Sequence, residues 1–79
     1  MRPGVPRYQQ LADMIRERIT DGFYEAGSRL PTEVDLMEET GFSRDTVRHA
    51  VKLLKDSGWL TVTHGLGTYV NPPEMRSEP

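Results

Sequence analysis

Apolar residues in the first third of the chain follow the spacing of one helix face. They recur at intervals of three and four residues and consist of Tyr8, Leu11, Ala12, Ile15 and Ile19. This periodicity predicts a helix over about 7–21. Gly22 comes just after the last periodic residue, where glycine commonly provides a left-handed cap.

Polar capping residues in the middle of the chain predict a second helix and a turn after it. Thr32 occupies an N-cap position and Asp35 follows three residues later, as in a capping box. The helix runs to about Thr40, and Gly41 breaks it. Before this helix, the connector segment 28–30 can pair briefly as a strand.

The third predicted helix separates an apolar stripe from a basic one. Ser43 stands at its N-cap, and the helix runs over about 44–57. The apolar stripe consists of Val47, Ala50 and Val51. The basic stripe, at four-residue intervals, consists of Arg44, Arg48 and Lys52. One face is thus suited to a core, and the opposite face is left open for a ligand.

The hydrophobic pattern changes to period 2 after the third helix. Residues 59–63 alternate and are rich in residues favoured in strands. Residues 64–67 predict a four-residue turn, and 68–70 predict the return strand of a β-hairpin. Two prolines directly after Asn71 block further pairing.

The order of these elements predicts a mainly α fold with a small β-hairpin. It is a winged helix-turn-helix, with three helices plus a wing. Counted from Glu33, Gly41 is the ninth residue and serves a turn that requires positive φ. Val47 and Ala50, at positions fifteen and eighteen, pack the third helix on its neighbour.

Length and composition predict one small domain that depends on packing for its stability. The 79 residues include no cysteine, so neither a disulfide framework nor a thiolate zinc site is available. We expect a flexible arm over 1–6 and a folded domain over 7–70. Residues 71–79 are expected to be a disordered tail or the start of an interdomain linker.

The distribution of charge qualifies the acidic balance of the chain. The net charge is −2, but residues 43–70 hold four Lys/Arg against two Asp/Glu. A positive electrostatic field that meets DNA would therefore be confined to residues 43–70, and the affinity of the chain for nonspecific DNA would be modest. No apolar run is long enough to span a membrane and no signal-peptide core is present. We therefore expect a cytoplasmic protein without a membrane partner.

Four short motifs occur in order along the predicted domain. They read YQQLA at 8–12, G at 27 with LPTE at 30–33, SRDTVR at 43–48, and GLGTYV at 65–70. Together they resemble the N-terminal DNA-binding domain of the GntR family of bacterial transcription regulators. The resemblance implies a recognition helix over about 44–57 for the major groove and a wing for the adjacent groove.

Two departures from the family pattern concern a DNA contact and the length of the chain. After the Pro-x-Glu entry of the second helix the family often carries an arginine that touches DNA, and Val34 stands there. Family members usually continue into an effector-binding and dimerising domain, but nine residues follow Val70. The chain is expected to be either a fragment cut at the interdomain linker or a minimal regulator.

The predicted DNA contacts lie at the start of the third helix and at the tip of the wing. They are Ser43, Arg44, Thr46, Arg48, Lys52, His64 and Gly65. An arginine at a helix start can grip guanine O6 and N7 or a phosphate, and a helix N-terminus attracts phosphate. The resemblance implies the contacts of the wing tip, where glycine lets the backbone approach the minor groove.

Each of these contacts also has a structural alternative. The arginines can belong to a solvated face with an Asp45–Arg48 pair, and Thr46 can be a surface filler. His64 and Gly65 can simply form the turn of the wing without touching DNA. Lys52 suits a contact with a phosphate better than a contact with a base. For Arg7 and Tyr8, at the start of the first helix, a phosphate contact and a packing role are equally open.

These features predict a sequence-specific, double-stranded-DNA-binding transcription regulator, by resemblance a repressor. Two copies would bind a short palindrome as a homodimer on DNA, and no small-molecule effector is expected on this segment. The alternative is a winged-helix protein-interaction module, which the acidic first half would suit. No catalytic set is present, and His49 with His64 lacks a third ligand, so we expect no enzyme activity, metal or cofactor.

Overall fold

A computed structural model describes residues 4–76 and contains three helices followed by an antiparallel hairpin. The helices are α1 (Arg7–Thr20), α2 (Glu33–Thr40) and α3 (Arg44–Asp56). The hairpin consists of β1 (Leu60–Thr63) and β2 (Gly67–Val70), and Pro73–Met75 forms a turn of 3-10 helix. The structure confirms the predicted winged helix-turn-helix.

One apolar core joins the three helices to the base of the hairpin. Both α1 and α2 pack on α3, which also contacts β1. The largest fully buried side chains include Leu11, Ile15, Leu36, Leu54 and Leu60. Burial of each such side chain contributes about 1.5–3 kcal/mol, so the core fixes how α3 lies against its neighbours.

Caps on both sides of the turn between α2 and α3 fix where each helix begins and ends. The N–H of Asp35 donates to Oγ1 of Thr32 at 3.1 Å, and the N–H of Thr32 donates to the Asp35 carboxylate at 3.2 Å. Gly41 ends α2 with φ 77°, which only glycine adopts without strain. Oγ of Ser43 then accepts the N–H of Thr46 at 3.2 Å and starts α3.

The hairpin has a shorter tip than the sequence predicted. Thr63 pairs with Gly67, so the loop contains the three residues His64–Leu66 instead of four. The N–H of Leu66 donates to the carbonyl of Thr63 at 3.0 Å and closes this loop. The four-residue prediction was wrong because Gly67, read as a turn residue, opens the return strand with an unusual φ of 126°.

The connector before α2 pairs with the outer edge of the hairpin, as its sequence suggested. The N–H of Leu30 donates to the carbonyl of Thr68 at 2.8 Å, and the N–H of Val70 donates to Ser28 at 2.9 Å. The result is an isolated bridge between Arg29 and Tyr69. This pairing brings the Arg29 side chain next to the wing.

The chain folds back on the base of the hairpin after β2. Nδ2 of the buried Asn71 donates to the carbonyl of Gly58 at 3.0 Å. The guanidinium of Arg76 lies 4.0 Å from the centroid of the Trp59 ring. These contacts attach residues 71–76 to the base of the hairpin.

The predicted terminal segments lie partly outside the described residues. Residues 1–3 and 77–79 fall outside them. Within the predicted arm, the carbonyl of Val5 accepts a 2.8 Å hydrogen bond from Nε2 of Gln10. The domain bounds, and an interdomain linker beginning after Val70, stay predictions.

Candidate nucleic-acid interface

The structure buries most of the apolar stripe predicted for α3 and leaves the basic stripe outside. Val47 and Ala50 are buried in the core together with Leu54, while Val51 is half-buried. The basic side chains point outward and are exposed by 54%, 65% and 68% at Arg44, Arg48 and Lys52. The core therefore holds α3 by one face and leaves the basic face accessible along three turns.

A single carboxylate from α2 contacts both arginines at the start of α3. Glu33 is the first residue of α2, and its Oε1 lies 3.0 Å from Nε of Arg44. Its Oε2 accepts a 2.7 Å hydrogen bond from Nε of Arg48. Each carboxylate oxygen of Glu33 thus contacts the Nε atom of one arginine. The edge between the two Nη atoms of each guanidinium is not needed for these contacts.

Arg48 is paired with Glu33 instead of with Asp45, the partner that the sequence had left open. The hydrogen bond that Arg48 donates to Glu33 is the main reason that the pKa of Arg48 is raised above its ordinary value. The charge of Asp45 contributes least to that rise. An exposed ion pair adds little to folding stability, so the main consequence of this pairing is geometric.

Lys52 ends the basic stripe and has a partner on its own helix. Its Nζ lies 3.0 Å from Oδ2 of Asp56, one turn later. This contact holds the pKa of Asp56 below its ordinary value. A phosphate that approached Lys52 would compete with Asp56 for the ammonium group.

Ser43 and Thr46 form a small polar cluster at the N-terminus of α3. The hydroxyl of Ser43 accepts the N–H of Thr46 and donates to its Oγ1 at 3.0 Å. The hydroxyl of Thr46 keeps its own proton for a ligand. Both residues therefore have a local structural role and stay predictions as DNA contacts.

The tip of the wing presents one apolar side chain besides the predicted residues. His64 and Gly65 are exposed, and Gly65 has φ 80° with open space around it. Leu66 is 60% exposed between them and β2. Sequence reasoning passed over Leu66 because an apolar residue in a turn carries no chemical motif.

A groove of about 460 Å³ runs between α3 and the hairpin. Its apolar lining includes Val47, Val51 and Val62. Its basic lining consists of Arg29, Arg48, Lys52 and Lys55, against the single acidic residue Glu33. The groove is therefore locally positive in a chain whose net charge is −2.

Sequence reasoning missed Arg29 and Lys55 as members of this basic lining. Lys55 lies on α3, three residues after Lys52, whereas Arg29 lies in the connector between α1 and α2. Gly67 is what lets the Arg29 side chain cross the wing, because a Cβ there would lie 2.6 Å from Nε of Arg29. The predicted strand pairing of the connector was the one signal that could have placed Arg29 here.

The start of α1 reaches α3 through an aromatic stack. The rings of Tyr8 and His49 are nearly parallel, with centroids 3.6 Å apart. This contact favours the packing role that had been left open for Tyr8. Arg7, the first residue of α1, is exposed.

Residues 4–76 contain neither a candidate metal site nor a membrane-spanning helix. In that range no group of three or more His, Cys, Asp or Glu side chains could hold a metal ion. No helix within it is long and apolar enough to cross a membrane.

Comparison with known proteins relates the chain to a family of regulators. The family model for bacterial regulatory proteins of the gntR family matches residues 7–70. The mannosyl-D-glycerate transport/metabolism system repressor MngR of Escherichia coli is 48% identical over 65 residues, 82% of the chain and 27% of its own length. An HTH-type transcriptional regulator of Mycobacterium tuberculosis is 43% identical over 72 residues, 91% of the chain and 27% of its own length.

A domain whose structure has been solved in complex with DNA has the same fold as this chain. The DNA-binding domain of AraR, crystallised in complex with an operator, matches with a TM-score of 0.80 and 36% identity. The match covers 84% of the chain and 80% of that domain. The chain spans about a quarter of the length of the two curated relatives but most of this isolated domain.

Proposed function

The chain belongs to the GntR family of bacterial regulatory proteins, and on that premise we propose that it is a sequence-specific double-stranded-DNA-binding domain of a transcription regulator. The observation that carries the proposal is the paired presentation of Arg44 and Arg48 on the exposed face of α3. Arginines at the start of a recognition helix are well suited to read guanine in the major groove. The operator complex of the AraR domain supports the same role.

In this proposal α3 enters a major groove and the wing enters the adjacent minor groove. Ser43 and Thr46 meet the DNA at the N-terminus of α3, and His64 and Gly65 meet it at the wing tip. The backbone strand between a major and a minor groove then runs between helix and wing, along the basic groove. Lys52 is expected to contact a phosphate of that strand.

Arg29 and Lys55 extend this phosphate contact beyond the residues predicted from the sequence. Both line the same groove as Lys52, and its apolar lining suits the deoxyribose rings between phosphates. Phosphate contacts of this kind position a protein on DNA without reading its sequence. The three residues should therefore contribute to affinity and not to discrimination.

The regulatory setting follows the relatives and is part of the proposal. Two copies would bind a palindromic operator. They would repress transcription, since MngR of Escherichia coli is named a repressor. We infer a cytoplasmic location and no enzyme activity, because the relatives are transcription regulators. Any small-molecule effector would bind outside this segment.

Selection of duplexes from a random pool, followed by fluorescence anisotropy, tests the proposal. The 79-residue chain should enrich a palindromic sequence and bind it more tightly than a scrambled duplex. Arg44→Ala and Arg48→Ala should each weaken binding to the selected duplex about 5- to 150-fold, the range expected for one bidentate base contact. Their effect on the scrambled duplex should be smaller.

Arg16→Ala provides the matched control, since it removes the same charge from α1, outside the groove. It should change binding to the selected and scrambled duplexes equally. If no sequence is enriched and no duplex binds even at low salt, the protein-interaction module replaces the DNA-binding proposal. If both α3 variants bind as the wild type does, the assignment of α3 as the reading helix is wrong.

A further inference from the structure

The carboxylate of Glu33 contacts both Arg44 and Arg48, which gives this residue a role that neither the family match nor the relatives assign. We propose that Glu33 is a positioning residue that sets how well the domain discriminates its operator from other DNA. It would act through Arg44 and Arg48 and touch no base itself. The inference rests on the proposed function.

Orientation of the two guanidinium groups is the first effect of Glu33. Arg44 and Arg48 lie one turn apart on α3, while the carboxylate that joins them comes from α2. A guanidinium held at Nε keeps its Nη edge pointing in one direction. Ordering a flexible side chain at an interface weakens binding about 2- to 10-fold, and side chains ordered before binding avoid much of that loss.

Charge is the second effect of Glu33. Glu33 offsets one of the two positive charges that Arg44 and Arg48 present, so the cluster has a net charge of +1 instead of +2. Attraction to phosphates does not depend on sequence and accounts for most nonspecific binding. The carboxylate therefore lowers affinity for any DNA while it improves the geometry for the right DNA. Only the improved geometry increases discrimination, because the weaker phosphate attraction acts on all DNA alike.

A purely structural role for Glu33 explains these contacts poorly. The two arginine side chains are more than half exposed, and exposed pairs add little to stability. The N-terminus of α2 is already capped by Thr32 and Asp35, which form their own reciprocal hydrogen bonds. The helix therefore does not need Glu33 as a cap, and Glu33→Gln should leave the domain folded.

The test compares Glu33→Gln with Glu38→Gln in the 79-residue chain. Glu38 is an exposed carboxylate of the same helix, and the ion pairs of Arg44 and Arg48 are with Glu33 instead. Both variants add one unit of positive charge to α2. Anisotropy titrations on the selected duplex and on a scrambled duplex, at several salt concentrations, give the ratio of the two affinities.

Glu33→Gln should lower that ratio about tenfold, with tighter binding to the scrambled duplex and a steeper salt dependence. Glu38→Gln should leave the ratio within about twofold of the wild type, since any gain from its charge acts on both duplexes alike. Circular dichroism confirms that each variant is folded at the temperature of the titration. An unchanged ratio in Glu33→Gln overturns the proposal.

A coupling measurement separates positioning from a direct or structural effect. If Glu33 acts through the arginines, Glu33→Gln should no longer alter the ratio when Arg44 and Arg48 are already alanine. An equal effect in that background would contradict the mechanism. Failure of the proposed function is distinguishable, because the wild type itself would then show no preference for the selected duplex.

Discussion

The contact between Gly58, two residues after α3, and the segment that follows the wing leads to a specific stability prediction. Gly58 has φ 81°, and a Cβ built there would lie 2.0 Å from the carbonyl oxygen of Met75. Real Cβ atoms essentially never approach an oxygen so closely, so Gly58→Ala must displace residues 71–76. Gly41 is the matched control, since it has φ 77° with nothing within 4 Å of the same Cβ position.

The magnitude follows from what each substitution disturbs. Both variants place an alanine in the left-handed region, which costs about 1–2 kcal/mol. Gly58→Ala also disturbs the hydrogen bond of buried Asn71 and the stacking of Arg76 on Trp59. Losing a buried hydrogen bond costs about 1–3 kcal/mol. Gly58→Ala should therefore destabilise the domain by about 2 kcal/mol more than Gly41→Ala.

Thermal denaturation followed by circular dichroism measures this difference. For a domain of this size 1 kcal/mol corresponds to about 4–8 °C in Tm, so the two Tm values should differ by about 8–16 °C. Deleting residues 72–79 from both variants should remove most of the difference. Equal Tm values in the full chain would refute the packing of residues 71–76 on the hairpin base.

Three further predictions follow from the caps, the ion pairs and the groove. Ser43→Ala removes the N-cap of α3 and should lower the free energy of unfolding by about 1 kcal/mol, measured by urea denaturation. Ser43→Asn should restore the lost stability. An unaltered midpoint in the alanine variant would contradict the cap. Arg18 lowers the pKa of Glu39, so the pair stabilises the fold at neutral pH and loses this effect as the pH falls below about 4.3. Arg18→Ala should therefore flatten the dependence of Tm on pH in this acidic range. Parallel Tm curves for the variant and the wild type would exclude the pair. Arg29→Ala should weaken binding equally on selected and scrambled duplexes and reduce the salt slope by about 0.9; an unaltered slope would remove Arg29 from the phosphate contacts.

Most of the fold could be predicted because its signals are local. The apolar face of α1, the capping box at Thr32 and the glycine at position 41 each act within a few residues. They fix helix ends to within one residue. The hairpin tip was misjudged by one residue because Gly67 suits a turn and a strand start equally well, and only the pairing with Thr63 decides between them.

The site could be predicted only in part because its decisive contacts join distant segments. The sequence places Arg44 and Arg48 on one face of α3, since helical spacing is enough for that. It does not show that Glu33, in another helix, lies between them, and it offered Asp45 as the nearer partner. The basic groove was missed for the same reason, because Arg29 reaches it through pairing with β2.

Methylation interference on the selected duplex tests whether α3 reads the major groove. Dimethyl sulfate modifies N7 of guanine in the major groove and N3 of adenine in the minor groove. Guanine methylation in each half-site should block binding, and Arg44→Ala or Arg48→Ala should remove the sensitivity of one guanine. Adenine methylation beside the half-sites should interfere through the wing. Binding that is indifferent to guanine N7 would contradict the placement of α3 in the major groove.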